Sequence, residues 1–416
     1  MNRQFLKTTP ALAALILLAS ILTPGMVFPV LADPLPLLQA RGTQIVDTAG
    51  SPVLLRGINL GGWLVEEPWM QPFVTTPPPG TDFPHIRDHV SLWGTVEKRL
   101  GRTGMERVRT AFRQSWITEA DFDHIHDAGL NCVRLPFLAS LADEPDGLQW
   151  LDRAVAWAAK RGIYVILDLH GAPCSQSGEG HTGQAGLNQF FKTPTDITAA
   201  ETLWTRIARR YRDNPTVAGY DLVNEPTGTP NSDTLYVVMD RLYRAVRAAD
   251  PRHLVFIEDG YTGIRWMPYP APCGWSNVVY SWHAYQFQAK SAEDHLRAMQ
   301  GDEAEIGALQ KTRQVPFYIG EFGLEPNATP QTLATVVTDF GTRGLSWSLW
   351  TYKVIYPSGG HSLWGLYENP NPIIPLDPYR DSEADLIRKC AQFRTENLEE
   401  YAAVAQAFRD SVRRGG

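Results

Sequence analysis

Ile163-Tyr-Val-Ile-Leu-Asp-Leu-His170 is a run of aliphatic and aromatic residues without strict polar alternation. A strand with one wet face alternates, whereas a strand covered on both faces does not. The run therefore reads as a buried parallel strand. Before it, residues 150–161 place Ala154, Trp157 and Ala158 on one helical stripe that stops at Gly162. The same alternation continues in both directions. Residues 53–60, 131–136, 217–224, 253–259, 278–283, 316–321 and 345–351 read as further buried strands. Between them, Thr118 and Asp121 suit a capping box for a helix that Gly129 ends. Ser232 is placed to cap the helix carrying Leu235, Val238, Met239, Leu242 and Val246.

Eight such strands with helices between them predict an α/β chain closed into a (β/α)8 barrel of the triosephosphate isomerase type. An open doubly wound sheet would need a Gly-rich phosphate loop after an early strand. Gly57-Ile-Asn-Leu-Gly-Gly62 does not fit that pattern. No linker, repeat or composition shift marks a second domain. The Pro-rich residues 77–84 read as a surface loop, and residues 61–113 as a partly helical insertion walling one side of a cleft. The tail after Asp381 reads as a final helix pair.

The 416 residues are 44% hydrophobic and 20% charged with a net charge of −7, which argues against a nucleic-acid partner. Thirteen Trp and fifteen Tyr supply flat faces of the kind that stack on sugar rings. At the N-terminus, Arg3 and Lys7 precede an apolar stretch from Ala11 to Leu22, then Pro24, Gly25 and Pro29, and Val30-Leu31-Ala32 as an A-x-A-type cleavage site. Residues 1–32 are accordingly expected to be a signal peptide, and 33–416 one catalytic domain. Such a chain is secreted, extracellular or periplasmic, with no membrane span in its mature form. A monomer is expected. Cys132, Cys174, Cys273 and Cys390 show no metal-ligand spacing and are expected to be buried or incidental thiols.

Barrels of this type place their chemistry at the C-terminal ends of the strands. Those ends are Asn59, Arg134, His170, Asn224-Glu225, Glu258-Asp259, His283, Glu321 and Trp350. Glycoside hydrolysis needs two carboxyls across one acetal, one protonated and one ionised. Glu225 after the fourth strand and Glu321 at the seventh can face each other across the mouth. Arg134 could hold a carboxylate ionised, and Asn224 could hydrogen-bond a sugar 2-OH. His283 and Tyr285 would hold or donate to the carboxylates. Trp350 would floor the site by stacking, while Trp347 reads as core.

The segments Arg56-Gly-Ile-Asn-Leu-Gly-Gly-Trp63, Asn131-Cys-Val-Arg-Leu-Pro136, Asp168-Leu-His-Gly-Ala-Pro173, Asn224-Glu-Pro226, His283-Ala-Tyr285, Gly320-Glu-Phe322 and Leu349-Trp-Thr-Tyr-Lys353 resemble glycoside hydrolase family 5. They are most similar to its exo-β-1,3-glucanase branch. The resemblance implies a retaining double displacement with Glu321 as nucleophile and Glu225 as acid/base, on a β-glucan poly- or oligosaccharide and without metal or cofactor. Arg134, His170, Asn224, His283, Tyr285 and Trp350 match further active-site positions of the family. Glu67 matches a glutamate that contacts the terminal non-reducing glucose, which leaves Glu66 as a solvated neighbour. An acid such as Glu225 needs a raised pKa, here from Glu321 nearby and partial burial.

The chain departs from the branch at Cys174-Ser-Gln-Ser177-Gly, at Glu179-Gly-His-Thr182 and after Trp350. Those segments bear on subsite shape and linkage preference. Two other readings keep the scaffold. An endo-acting β-1,4-glucanase, mannanase or glycolipid glycosidase would show a long open groove; a non-catalytic sugar-binding barrel would lack the supporting groups that are present here.

Overall fold

Eight strands close a parallel barrel: β3 (Arg56–Asn59), β4 (Cys132–Leu138), β5 (Tyr164–Gly171), β6 (Val217–Asp221), β7 (Leu254–Glu258), β8 (Val278–Tyr285), β9 (Phe317–Gly323) and β10 (Ser346–Leu349). Closure is by β10 against β3. The computed structural model describes residues 34–261 and 263–414. The expected signal peptide, residues 1–32, lies outside them. Every residue of β4, β5, β6, β7 and β9 is buried, so the unbroken apolar runs are strands covered on both faces.

A hairpin of β1 (Gln39–Arg41) and β2 (Gln44–Val46) precedes the barrel. Leu38 and Ile45 join Leu55, Ile166, Ala218, Leu254, Phe256 and Tyr318 in a core cluster at the N-terminal ends of the strands. Sequence periodicity missed this hairpin because three-residue strands carry too few side chains to define a period.

The helices are α1 (His89–Trp116), α2 (Glu119–Asp127), α3 (Gln149–Ala159), α4 (Pro194–Tyr211), α5 (Ser232–Ala249), α6 (Pro270–Cys273), α7 (Ala292–Arg313), α8 (Pro330–Thr342), α9 (Glu383–Cys390) and α10 (Ala402–Arg414). The capping box of Thr118 and Asp121 is present on α2. On α5 the cap is Asn231 rather than Ser232: its side chain accepts from the Thr234 amide at 2.9 Å. The two residue types cap equally well, so only the chain's entry angle could choose between them.

α1 is the helical part of the insertion, and α9 and α10 form the C-terminal pair. Trp347 is buried against Phe322 and Phe408. All four cysteines are free thiols; Cys132 and Cys390 are buried, Cys273 is half-buried and Cys174 is exposed. No helix among the described residues is long and apolar enough to cross a membrane.

Glu66 is not a solvated neighbour. It is fully buried, hydrogen-bonded to His89 of α1, and held below the usual carboxylate range against its burial by His89 and Arg113. The turn that exposes one of two adjacent glutamates to the cleft drives the other beneath the insertion.

Candidate active site

At the C-terminal ends of the barrel strands lies a cavity of about 540 Å³. Its organising group is Arg134 on β4, fully buried. Nε donates to Asp221 Oδ2 at 2.9 Å, and Nη1 donates to Glu321 Oε1 at 2.7 Å and Asn59 Oδ1 at 3.2 Å. Nη2 donates to Asn224 Oδ1 at 2.8 Å and Glu258 Oε1 at 3.1 Å, and lies 3.1 Å from Asp168 Oδ1. One guanidinium thus meets four carboxylates. Burial opposes its charge, but the surrounding acids outweigh that and hold it far above ordinary arginine. The acids are in excess, and burial pushes Asp168 and Glu258 up and Asp221 up to about 6.

Glu321 ends this network on β9. Its second oxygen accepts from the Tyr285 hydroxyl at 2.7 Å. Gly320 precedes it for a steric reason: a Cβ there would stand 2.9 Å from His283 Nε2 and 2.7 Å from Ser281 Oγ. The close approach of β8 and β9 brings His283 between the two carboxyls.

Glu225 follows β6 in a left-handed backbone conformation, φ +41°, and its amide donates to Glu258 Oε2 at 2.7 Å. Glu258 thereby ties the loop of the fourth barrel strand to the end of the fifth. Glu225 Oε1 accepts from the Tyr261 hydroxyl at 2.7 Å and lies 2.8 Å from His283 Nδ1; Oε2 lies 3.4 Å from His181 Nε2. His283 Nδ1 is also 3.6 Å from Glu321 Oε2. One oxygen of Glu225, one of Glu321 and a His283 nitrogen all fall within 4.8 Å of one another.

The expected rise in the pKa of Glu225 is corrected by this surrounding. Burial does push it up, but the hydrogen bond and charge of His283, aided by His181 and Tyr261, outweigh burial and hold it below the usual carboxylate range. His283 moves the opposite way. Burial would lower it, yet Glu258 and Glu321 raise it well above ordinary histidine. The two groups share one hydrogen bond and titrate as a pair.

The remaining groups line the same cavity. His170, bonded through Nδ1 to Asp168 Oδ2 at 2.7 Å, is driven down to about 3 by burial with help from Arg134, and so is neutral. It stacks on Trp350 at 5.3 Å between centroids and 11° between planes. Asn224 leaves its buried Nδ2 without a protein partner, and Glu67 does the same with Oε1. Glu67 Oε2 accepts from Trp69 Nε1 at 2.9 Å, and burial pushes the carboxyl up to about 7.

The structure thus brings all nine sequence-selected residues to one cavity or its supporting network. It adds His181 from the 3-10 turn Gly180–Thr182, and Tyr261, Phe287 and Trp364 from loops, where no periodicity singles them out. Glu258 was visible as a polar strand end, but its bond to the Glu225 amide was not.

The family model described as cellulase (glycosyl hydrolase family 5) matches residues 96–354. A β-xylosidase of Phanerodontia chrysosporium is 31% identical over 351 residues, covering 76% of this chain and 71% of that protein. The Aspergillus niger protein named "Probable glucan 1,3-beta-glucosidase A" is 34% identical over 259 residues, and the match spans 59% of each chain. In fold, the crystal structure of rutinosidase from Aspergillus niger aligns with a TM-score of 0.59 at 20% identity, over 75% of this chain and 92% of that one.

Proposed function

Since the chain belongs to glycosyl hydrolase family 5, we propose that it is a secreted retaining β-glycosidase that releases sugar from the non-reducing end of β-glucans. The observation that carries this reading is the pair Glu225 and Glu321, with oxygens within 4.8 Å of each other across a pocket. Carboxyls roughly 5–5.5 Å apart suit retention, whereas inversion needs roughly 6.5–9.5 Å to admit a water between acetal and base. Glu321, oriented by Arg134 and Tyr285, attacks the anomeric carbon. The bond to the leaving-group oxygen breaks as that oxygen takes, through Glu225, the proton held by the hydrogen-bonded Glu225–His283 pair. Water then returns a proton to the pair through Glu225 as its oxygen displaces Glu321 from the anomeric carbon. Residues 1–32 serve as the export signal.

The reading is tested by the anomer first formed from an aryl β-glucoside, followed by NMR, and by products from laminarin, lichenan, cellulose and mannan. Retention with monosaccharide release is expected; inversion, or a ladder of oligosaccharides, would overturn it. Aryl β-xyloside belongs in the panel because of the xylosidase relative.

Two predictions arise at this site. Replacing His283 by Gln should move the alkaline limb of kcat/KM to lower pH by about one unit or more. With His283 present, the pair's proton is lost only as pH rises through the elevated histidine pKa. Without it the proton belongs to Glu225 alone. An unmoved limb would remove His283 from the proton inventory.

Glu67→Gln addresses exo action. Its unpaired buried oxygen is placed to accept from hydroxyls of a terminal sugar. Substitution should cost up to roughly a hundredfold in kcat/KM on short β-glucan oligomers. Stability should move the other way. A carboxyl raised to about 7 binds more protons folded than unfolded, so it weakens the fold as pH rises from its unfolded value through 7. The variant should melt higher than the parent at pH 8 and no higher at pH 4. Undiminished activity on oligomers, measured beside the melting curves, would rule out the terminal-sugar role.

A further inference from the structure

The segment Glu179-Gly-His-Thr182, where the chain departs from the branch, puts a second histidine against Glu225. The turn Gly180–Thr182 is fastened on two sides. Thr182 Oγ1 donates to the Glu179 carbonyl at 2.8 Å and lies 2.6 Å from Ser175 Oγ. The Gly183 carbonyl accepts from the Val90 amide at 3.0 Å, and the Ala185 amide donates at 2.7 Å to Asp88 Oδ2, on the N-cap residue of α1. The end of β5 comes so close that a Cβ on Gly171 would stand 2.4 Å from the Thr182 carbonyl oxygen. A turn held by both β5 and α1 presents its side chain at a fixed place.

His181 uses that place to enter the cavity. Its ring meets His170 edge-on, with 5.7 Å between centroids. Nε2 is buried, has no hydrogen-bond partner, and stands 3.4 Å from Glu225 Oε2. The other oxygen of Glu225 is doubly engaged, by the Tyr261 hydroxyl at 2.7 Å and His283 Nδ1 at 2.8 Å. Two contacts on Oε1 leave the carboxyl able to swivel about that oxygen. Oε2 therefore needs a contact of its own, and among the described residues His181 is the group that meets it.

We propose that Glu225 exchanges its proton with the substrate through Oε2, and that His181 is the positioning residue that aims this oxygen. The inference rests on the acid/base reading of Glu225. In the first step the glycosidic oxygen takes the proton from Oε2 as its bond to the anomeric carbon breaks. In the second, water gives a proton to Oε2 as its oxygen bonds that carbon and Glu321 leaves. Between the two steps Oε2 is ionised, and the Nε2–H tautomer of His181 donates to it. The resting gap of 3.4 Å suits that duty, because contacts between catalytic groups are often long in an empty site and tighten in the complex. A firm bond would hold Oε2 away from the substrate. The titratable groups around His181 are Glu225, Glu67 and His170, with Glu179 on its own turn. Burial opposes ionisation of Glu67 and Glu225, and His181 favours it in both.

The test compares H181N with H181Q in the full chain. The Gln amide reaches as far as Nε2, whereas the Asn amide falls one methylene short. H181N should lose about tenfold or more in kcat on an alkyl β-glucoside, which needs the acid. On dinitrophenyl β-glucoside it should give a burst of dinitrophenol and then slow turnover, since the glycosyl-enzyme waits for its base. H181Q should stay within about threefold of the parent on both substrates. Inhibition by gluconolactone, which occupies only the sugar site, should keep its Ki within about twofold throughout. Full kcat in H181N, or equal losses in the two variants, would overturn the proposal. So would a Ki that worsens as far as kcat falls, which would make His181 a sugar contact. If the parent cleaves no glycoside, the proposed function has failed and crystal structures decide the positioning separately. The Glu225 carboxyl should then hold one orientation in the parent and H181Q and swivel about Oε1 in H181N; one orientation in all three would sink the idea.

Discussion

Glu321→Ala should lower kcat by about four orders of magnitude or more, and azide or formate should restore part of the activity with a product of inverted configuration. In the proposed mechanism the Glu321 carboxylate is a covalent participant, so its loss removes the first displacement instead of weakening it. A small anion can occupy the space beside Arg134 and Tyr285, which already present donors there at 2.7 Å each. It attacks from the face Glu321 used, and its product cannot be turned over, so the single displacement is preserved as inversion. NMR of the glycosyl azide reads the configuration directly. Activity retained in the variant, or rescue with retention, would take Glu321 out of this role.

The second large effect is expected from Glu225→Ala, and it should depend on the leaving group. Oligosaccharides and alkyl glucosides need their oxygen protonated as the bond breaks, so they should lose about a hundred- to ten-thousandfold. Dinitrophenyl β-glucoside leaves as a stable anion and should be slowed far less in forming the glycosyl-enzyme. The structure adds a condition to this result. Because His283 is raised and Glu225 lowered across one shared hydrogen bond, the proposed acid is the Glu225–His283 pair, and removing either partner should steepen the dependence on leaving-group quality. Equal losses across leaving groups in Glu225→Ala would sink the assignment. A loss confined to Glu225→Ala, with His283→Gln kinetically silent, would mean that Glu225 draws its proton from elsewhere.

Glu67 would recognise the terminal sugar, so Glu67→Gln should depress short and long oligomers alike.

The barrel was legible in the sequence because its determinants are local. Apolar runs without alternation, separated by helix stripes such as those that Gly129 and Gly162 end, specify buried parallel strands, and their number specifies closure. Glu225 and Glu321 were legible for a related reason: in a parallel barrel the strand ends share one face, so sequence position along a strand gives position at the mouth. What the chain's linear order could not decide is how charge divides among groups that meet from different strands. Arg134, Asp168, Asp221, Glu258 and Glu321 come from five strands, and which of them shares a proton depends on distances of about 3 Å set only by closure. The same holds for Glu66 and Glu67, chemically identical neighbours that the turn sends to opposite environments. It holds most sharply for Glu225, whose own burial argues for a raised pKa while His283, 58 positions away in the chain, reverses the sign. Residue type and spacing select the groups that take part; the low-dielectric interior, where a charge is felt over several ångströms, decides which of them holds the proton.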